Sequence, residues 1–244
     1  MKIAVVTGTS TGIGFATSLH LAQHGYRVFA GMRNLAKAQP LLTAAAGLPV
    51  EVIALDVTSG ASIDAAFRAV AAAGPVDVLV NAAGISSQRR PALEIPDGDW
   101  ARMMAVNLSG PWNTCRALGR AMLARRRGSV INVASTNSID PSPGIAHYCV
   151  SKAGLAMLTK CLALEWASAG IRVNAVGPGP IKTPMTLPIL EADPAVRARW
   201  ESRVPMGRIG DPADLVGMFV YLASDASAWV TGQVFYVEGG WLLS

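Results

Sequence analysis

The chain has 244 residues, of which 51% are hydrophobic, and this length and composition suffice for one large buried core. We therefore expect a single domain over residues 1–244. No N-terminal stretch shows the charged start, apolar run and small-residue cleavage site of a secretion signal, and no apolar run reaches the ~20 residues of a membrane span. These features predict a cytoplasmic protein without a membrane partner.

The formal net charge is +5, but the basic residues are scattered along the chain. The one basic run, Arg125–Arg127, ends a predicted helix before Gly128, where cations suit the helix dipole. This distribution argues against a nucleic-acid partner. Three cysteines, Cys115, Cys149 and Cys161, are too few and too irregularly spaced for a disulfide framework or a zinc site, so we expect a reducing compartment and no metal.

Apolar, β-branched segments alternate with helical patterns along the whole chain. The opening segment KIAVVTG is followed by a glycine-rich loop and a helix, and further strands are predicted to begin near residues 26, 50, 76, 129, 171 and 233. Strands that are apolar throughout and alternate with helices indicate a parallel sheet with helices on both faces. The predicted fold is a doubly wound α/β sheet of the Rossmann type.

Ligands of such sheets bind beyond the carboxyl ends of the strands, so the residues that follow each strand are the candidates for function. After the first strand, TGTSTGIG places Gly8, Gly12 and Gly14 where a helix begins. Glycines there allow a tight turn and let backbone N–H groups approach a pyrophosphate. The spacing differs from G-x-G-x-x-G, so the location at the first strand–helix junction carries the prediction of a dinucleotide site.

The residues after the next three strands bear on which dinucleotide binds. Met32 stands where a carboxylate would hold the ribose 2′-hydroxyl of NAD, and the neighbouring Arg33 suits a 2′-phosphate. We therefore expect a preference for NADP, with NAD possible. Asp56 is placed to accept a hydrogen bond from the adenine amino group, and the small residues of NAAG (81–84) would let the backbone pass close to the cofactor.

Ser135 follows the fifth strand, and Tyr148 and Lys152 lie one turn apart on the helix after it, so they share a face. Reducing a ketone requires a proton for the developing alkoxide, and Tyr148 is the expected acid and base. A Lys⁺ about 4 to 5 Å away is expected to lower the pKa of Tyr148 by about two to three units. Ser135 is expected to donate a hydrogen bond to the substrate oxygen.

Two neighbours of Tyr148 suggest other chemistry. A hydrolase triad of His147 with Ser135 is rejected, because the chain has no G-x-S-x-G elbow and consecutive helix positions face different ways. A reactive thiol at Cys149 is rejected in favour of a small buried side chain.

Together these motifs resemble the short-chain dehydrogenase/reductase family, in the branch of the 3-oxoacyl-carrier-protein reductases and the gluconate and sugar dehydrogenases. The matches run from TGTSTGIG and NAAG to a "PG" pair followed by Thr183 and the closing EGGW. The resemblance implies an NAD(P)-dependent dehydrogenase or reductase acting on the CH–OH group of donors. The catalytic set that it implies is Asn107, Ser135, Tyr148 and Lys152.

The resemblance also implies roles for these residues towards the cofactor. Lys152 would bond the nicotinamide ribose, Thr183 would contact the carboxamide, and Asn107 would hold a water, a role compatible with an Asn side chain that bonds nearby backbone. The full set of expected cofactor contacts is Gly8, Ser10, Thr11, Gly12, Ile13, Gly14, Arg33, Asp56, Val57, Asn81, Ala82, Ala83, Gly84, Tyr148, Lys152, Pro178, Gly179, Ile181 and Thr183.

The Pro-punctuated segment 181–210 is predicted to be irregular and to form a lid over the substrate. The expected substrate contacts are Ile85, Ser86, Ser87, Thr136, Asn137 and residues 185–189. The apolar ending FYVEGGWLLS favours an oligomer interface, and the resemblance points to a homotetramer.

The leading hypothesis is an NADP(H)-dependent oxidoreductase that acts on a small-molecule ketone or secondary alcohol. One alternative is an NAD-dependent polyol, sugar or sugar-acid dehydrogenase of the same fold. An alternative of another class is a catalytically silent, dinucleotide-sensing protein, which would not need all four residues of the catalytic set.

Overall fold

A computed structural model describes residues 1–244. Seven parallel strands form one sheet in the order β3-β2-β1-β4-β5-β6-β7. Their bounds are Lys2–Thr7 (β1), Tyr26–Met32 (β2), Val50–Ala54 (β3), Val76–Asn81 (β4), Gly128–Val133 (β5), Ile171–Pro178 (β6) and Val234–Val237 (β7). The predicted doubly wound sheet is confirmed, and the strand order reverses between β1 and β4, where such sheets bind their ligands.

Nine α-helices cover the sheet. Their bounds are Gly12–Gln23 (α1), Gln39–Ala44 (α2), Gly60–Ala73 (α3), Asp97–Met104 (α4), Gly110–Arg125 (α5), Ala146–Trp166 (α6), Leu187–Ala192 (α7), Pro194–Arg203 (α8) and Ala213–Ala223 (α9). One turn of π-helix, Ala105–Ser109, joins α4 to α5 without a break. None of the helices is long and apolar enough to cross a membrane.

The two faces of the sheet bury separate cores, because successive side chains of a strand point to opposite faces. In β1, Ile3 and Val5 pack into a cluster with residues of α3, α5 and α6, whereas Ala4 and Val6 pack into a second cluster with residues of α1 and α9. This arrangement confirms the prediction of helices on both faces.

Part of the segment 181–210 is more regular than predicted, since it contains α7 and α8. Asp193 caps α8 by accepting a hydrogen bond from the Ala195 N–H at 2.8 Å, and Pro194 is its first residue. Proline is tolerated in the first turn of a helix, where no intrahelical N–H bond is lost. Pro188 and Pro194, which favoured an irregular segment, therefore mark the starts of α7 and α8.

The segment 181–210 leaves the sheet and returns to it at one point. Ile181 and Gly210 form an isolated parallel bridge. The Lys182 N–H donates to the Gly210 carbonyl at 2.8 Å, and the Gly210 N–H donates to the Pro180 carbonyl at 3.0 Å. The two ends of the segment are thus fixed to each other beside the carboxyl end of β6.

Candidate active site

The loop between β1 and α1 packs against the chain that leaves β4. Gly8 has φ of +71°, and a Cβ built on it would lie 2.5 Å from the Ala83 Cα. A Cβ on Gly14 would lie 2.4 Å from the Gly8 carbonyl oxygen. The Thr7 hydroxyl accepts hydrogen bonds from the Ala82 and Ala83 N–H groups at 3.1 and 3.0 Å. Only glycine fits these two loop positions, which keeps the loop tight.

The first turn of α1 offers a place for an anion. The helix begins at Gly12, the Thr11 side chain makes no capping bond, and no acidic residue lies in the first turn. The N–H groups of this turn have no partners within the helix, and they add to the positive end of its dipole. A pyrophosphate group fits this arrangement.

A cavity of about 320 Å³ extends from this loop along the carboxyl edge of the sheet. Every residue predicted to contact the cofactor lines it, except Asn81. Residues outside the predicted cofactor contacts also line it, among them Met32, Leu55, Val106, Val133, Ala134 and Pro184, together with Ile85, Met185 and Thr186, which were predicted as substrate contacts. The cavity thus joins the glycine loop to the predicted catalytic residues, as a site for an extended dinucleotide requires.

The prediction that Asn81 contacts the cofactor needs correction. Its side chain is buried and points into the protein, where the amide donates to the Asn132 Oδ1 at 2.9 Å and accepts from the Thr114 hydroxyl at 2.7 Å. Asn132 continues this network to the Thr159 hydroxyl at 2.9 Å. Buried amides need such partners, so Asn81 ties β4 to β5 and α5 from the inside.

Arg33 and Asp56 lie close to each other at the adenosine end of the cavity. Arg33 is exposed on the cavity wall. The Asp56 Oδ1 accepts from the Thr58 N–H at 2.9 Å and from its hydroxyl at 2.7 Å, and these two bonds, with a smaller effect of Arg33, lower the pKa of Asp56. The Met32 side chain is almost fully buried against Ala30 and Leu41. Arg33 therefore provides the cationic side chain at this end.

The predicted catalytic residues come together beyond the end of β5. The Lys152 ammonium donates to the Val133 carbonyl at 2.7 Å and lies 5.8 Å from the centroid of the Tyr148 ring. A Cβ built on Gly84 would lie 3.5 Å from the Asn107 Oδ1 and 3.7 Å from the Lys152 Nζ. A side-chain hydrogen bond joins Ser135 to Tyr148.

The pKa of Tyr148 moves in the direction opposite to the prediction. Burial raises it, and the hydrogen bond with Ser135 offsets part of the rise. Burial also lowers the pKa of Lys152 to about 8. The expected lowering is wrong here, because burial is the largest cause of the shift and Lys152, whose ammonium is held at the Val133 carbonyl, is not among its causes.

Asn107 lies in the π-turn between α4 and α5, and its side chain is fully buried. Its Oδ1 accepts from the Ile85 N–H at 2.8 Å, and its Nδ2 donates to the Ile85 carbonyl at 2.9 Å and to the Ser151 hydroxyl at 3.2 Å. The side chain thus connects the chain after β4 with α6, as an Asn side chain that bonds nearby backbone would.

His147 faces Ser87 and makes no hydrogen bond to Ser135. Its Nε2 lies 2.6 Å from the Ser87 hydroxyl, and its ring is buried. Sequence spacing gives no signal for this pair, because 60 residues separate its members. His147 therefore holds the side chain of Ser87, one of the predicted substrate contacts.

A second cavity, of about 790 Å³, adjoins the first. The two share the wall formed by Ser135, Tyr148, Gly179, Met185 and Thr186. The predicted contacts Ser86, Ser87, Thr136, Asn137 and Ile189 also line it, whereas Ile85 lines the first cavity. The two cavities therefore meet at the predicted acid/base residue.

Residues that were not predicted complete the second cavity. They include Arg89, Arg90, Arg199, Trp200, Arg203 and Trp241. The Trp241 indole N–H donates to Asp140 at 3.0 Å, and the Arg203 guanidinium lies 4.0 Å from a Trp241 ring centroid. The C-terminal tryptophan, which was assigned to an apolar interface segment, is thus buried within its own chain at the substrate cavity.

Comparison with known proteins agrees with this geometry. A family model described as enoyl-(acyl carrier protein) reductase matches residues 8–242. A 3-oxoacyl-(acyl-carrier-protein) reductase of Thermotoga maritima is 41% identical over 244 residues, which cover 98% of this chain and 97% of that relative. A galactitol 2-dehydrogenase of Rhizobium johnstonii is 41% identical over 242 residues, which cover 97% of this chain and 93% of that relative.

The crystal structure of a gluconate 5-dehydrogenase from Burkholderia cenocepacia, in complex with NADP and tartrate, has a TM-score of 0.94 at 35% identity and covers 100% of this chain and 96% of that chain. These matches extend over nearly the whole sequence and include the loop, strand ends and helix that form the two cavities. The chain belongs to the short-chain dehydrogenase/reductase family of oxidoreductases.

Proposed function

We propose that the protein is an NADP(H)-dependent oxidoreductase that transfers a hydride between the nicotinamide and a ketone or secondary alcohol, with Tyr148 as the general acid and base. The observation that carries this proposal is the wall that the dinucleotide cavity and the larger cavity share. Ser135 and Tyr148 line both cavities. A substrate in the larger cavity therefore meets its proton donor at the boundary with the cofactor.

The bound nicotinamide supplies or accepts the hydride, and side chains of the protein handle the proton. An ordinary phenol is protonated at neutral pH, and burial raises the pKa of Tyr148 further, so Tyr148 carries the proton that the alkoxide oxygen accepts in the reductive direction. Ser135 positions the substrate oxygen and stabilises its developing charge. Lys152 has a pKa of about 8, is mostly cationic at pH 7 and lines the dinucleotide cavity, where it is placed to bond the nicotinamide ribose.

In this proposal Asn107 affects the site indirectly, through the backbone of Ile85. By holding both polar groups of Ile85, it fixes the chain after β4 beside Lys152. We assign it as a positioning residue, because its side-chain hydrogen bonds go to protein groups.

The preference for NADP(H) rests on Arg33. Its guanidinium suits a bidentate contact with the 2′-phosphate, and a charge-assisted contact of this kind is worth about tenfold to a hundredfold in affinity. The related Burkholderia cenocepacia structure contains NADP, which supports the assignment. Met32→Asp is not a useful test, because Met32 is buried and the new carboxylate would be placed in the core.

Arg33→Ala tests the cofactor assignment. We expect kcat/KM with NADP(H) to fall by about tenfold to a hundredfold and kcat/KM with NAD(H) to change little. Arg68→Ala is the matched control, since Arg68 is exposed on α3 and lines neither cavity. A parent enzyme that prefers NAD(H), or a ratio that Arg33→Ala leaves unmoved, would make the NAD-dependent polyol, sugar or sugar-acid dehydrogenase the better assignment.

The activity itself is tested by following nicotinamide absorbance with both cofactors against ketones, aldehydes, sugars, polyols and secondary alcohols. Galactitol belongs in this panel, because a relative is a galactitol 2-dehydrogenase. Turnover that Tyr148→Phe abolishes is the expected result. Binding of NADP(H) without turnover of any member would favour the dinucleotide-sensing alternative.

We further propose that the protein assembles as a homotetramer. Trp112 on α5 and Val150, Met157 and Leu164 on α6 are large apolar side chains that the chain leaves exposed, and the three α6 residues recur at seven-residue intervals. Such a stripe on one helix face is typical of a helix that packs on another helix.

We propose the cytoplasm as the location of the protein. Its three cysteines are free thiols, which supports a reducing compartment.

A further inference from the structure

Four arginines from two separate parts of the chain meet in the larger cavity. Arg89 and Arg90 lie on the chain after β4, and Arg199 and Arg203 lie one turn apart on α8. No aspartate or glutamate lines this cavity. Since Asp140 neutralises Arg203, the three other guanidinium charges give the cleft that receives the substrate a positive potential.

Two of the arginines are already engaged by protein groups. Arg203 pairs with Asp140 at 2.9 Å and stacks on Trp241, and Arg89 donates to the Pro143 carbonyl. Their guanidinium groups are held in place by these contacts, so they shape the wall of the cavity.

The other two arginines are unpaired. The guanidinium groups of Arg90 and Arg199 have no hydrogen-bond acceptor and no carboxylate partner in the protein. The backbone of Arg90 is nevertheless fixed, because its N–H donates to the Gly144 carbonyl at 2.9 Å. Arg199 is carried by α8, which begins with the Asp193 cap. Two exposed guanidinium groups without a protein partner, carried by anchored backbone, therefore line the cavity that contains Ser135 and Tyr148.

We infer that the substrate carries an anionic group, a carboxylate or a phosphate ester, that Arg90 and Arg199 bind while Ser135 and Tyr148 receive the reacting oxygen. This inference rests on the proposed function and names its substrate class. Guanidinium groups form bidentate, charge-assisted hydrogen bonds with both kinds of anion. Because Arg90 and Arg199 come from different segments, an anion between them also ties the segment 181–210 to the chain after β4.

The test compares matched probes in the same absorbance assay. D-Sorbitol, D-gluconate and D-sorbitol 6-phosphate offer one six-carbon chain as a neutral, a carboxylate and a phosphate molecule, and every substrate found in the broad panel is paired with its neutral amide or ester in the same way. We expect anionic members to have the higher kcat/KM. Added salt should raise their KM, since it screens charge.

Arg90→Ala and Arg199→Ala should each raise the KM of anionic substrates by about tenfold to a hundredfold. They should leave kcat and the neutral substrates nearly unchanged, and Arg90→Lys should restore part of the affinity. Arg68→Ala again serves as the control. A greater loss for the carboxylate or for the phosphate probe identifies which anion the site takes.

Three outcomes would overturn the inference. Neutral members that are used as well as their anionic counterparts, or variants that leave the anion preference intact, would reject an anionic substrate while the proposed oxidoreductase stands. Binding of NADP(H) with no turnover of any probe would reject the proposed function, and the inference would fall with it.

Discussion

Tyr148 is buried, which raises its pKa, so the phenol keeps its proton until a stronger base such as an alkoxide forms beside it. Removing the hydroxyl in Tyr148→Phe takes away one proton and little volume. We expect the rate of ketone reduction to fall by about 10² to 10⁴, while the Kd for NADP(H) changes little. Stopped-flow measurement of hydride transfer, with fluorescence titration of cofactor binding, checks both.

Tyr221→Phe is the control for this change, since Tyr221 lies on α9 outside both cavities. Turnover of Tyr148→Phe within a few-fold of the parent would reject Tyr148 as the acid and base.

Lys152 is a buried cation, and the burial of its charge lowers the free energy of unfolding. Its pKa is about 8 in the folded chain, below the ordinary value of 10.5, so the unfolded chain binds more protons between these values and stability rises with pH across that window. Below pH 8 the buried charge lowers the free energy of unfolding by its full amount, about 3 kcal/mol. The hydrogen bond to the Val133 carbonyl restores about 1 kcal/mol of this loss.

Lys152→Met should therefore stabilise the fold at pH 7 by about 2 kcal/mol while it abolishes efficient turnover. The gain should shrink as pH rises from 8 to 10.5. Urea unfolding of both proteins at pH 7 and pH 9.5 measures this difference, with the exposed Lys37→Met as the control. If the stabilisation by Lys152→Met grew as pH rises, Lys152 would not be a buried cation with a lowered pKa.

Single residues also show where prediction from the sequence ends. Ser135, Tyr148 and Arg33 were predictable, because they follow strands or share a helix face and need only local geometry. Asn81 follows a strand as well, but its side chain turns inward to Asn132, and sequence position does not distinguish the two directions. The pKa of Tyr148 was not predictable either, because it depends on how deeply the folded chain buries the phenol.

At the scale of secondary structure, the π-turn at Ala105–Ser109 interrupts one long helix where Asn107 must reach Ile85. Such turns occur often at functional sites. Asn107→Ala leaves both polar groups of Ile85 without their partner, so we expect the free energy of unfolding to fall by about 2 to 3 kcal/mol. Urea denaturation measures this loss.

Asn113→Ala on α5 is the control for Asn107→Ala, because the Asn113 side chain makes no hydrogen bond within the chain. KM for the cofactor should also rise in Asn107→Ala, because the chain after β4 lines its cavity. Equal stability of the two variants would show that the Ile85 contacts contribute little.

The order of strands and helices was predictable because the elements have their own periodicity and several of them, such as β1 and α3, are followed directly by glycine. The two helices of the segment 187–203 were not. Pro194 is compatible with a break and with a helix start, and only the capping bond from Asp193 in the folded chain distinguishes them.

At the scale of the whole molecule, the exposed stripe on α6 predicts how copies of the chain assemble. Leu164 is 84% exposed and belongs to this stripe. Leu164→Glu would bury a charge in a helix–helix interface, so we expect the assembly to dissociate into smaller species. Size-exclusion chromatography with light scattering reports the mass.

Leu93→Glu is the matched control, because Leu93 is also fully exposed but lies outside the stripe. Identical masses for the parent and Leu164→Glu would place the interface elsewhere, and a monomeric parent would reject the proposed tetramer.

The sequence predicted the dinucleotide part of the site more completely than the substrate part. The dinucleotide half lies at successive strand ends, so the sequence order of the strands is enough to assemble it. The substrate half joins Arg90, Arg199 and Trp241, which lie far apart in the sequence and several residues beyond the ends of the predicted strands. Their meeting depends on how α8 and the C-terminal turn pack, and no local pattern encodes that packing.

The bridge between Ile181 and Gly210 has an evolutionary consequence. A segment whose ends are joined can gain, lose or exchange residues without moving β6 or α9, since both stay attached at the same point. Arg199 and Arg203 lie inside the segment, whereas the glycine loop, Tyr148 and Lys152 lie outside it. Substitutions within this segment of about thirty residues can therefore change the substrate, while the residues that carry out hydride transfer stay the same.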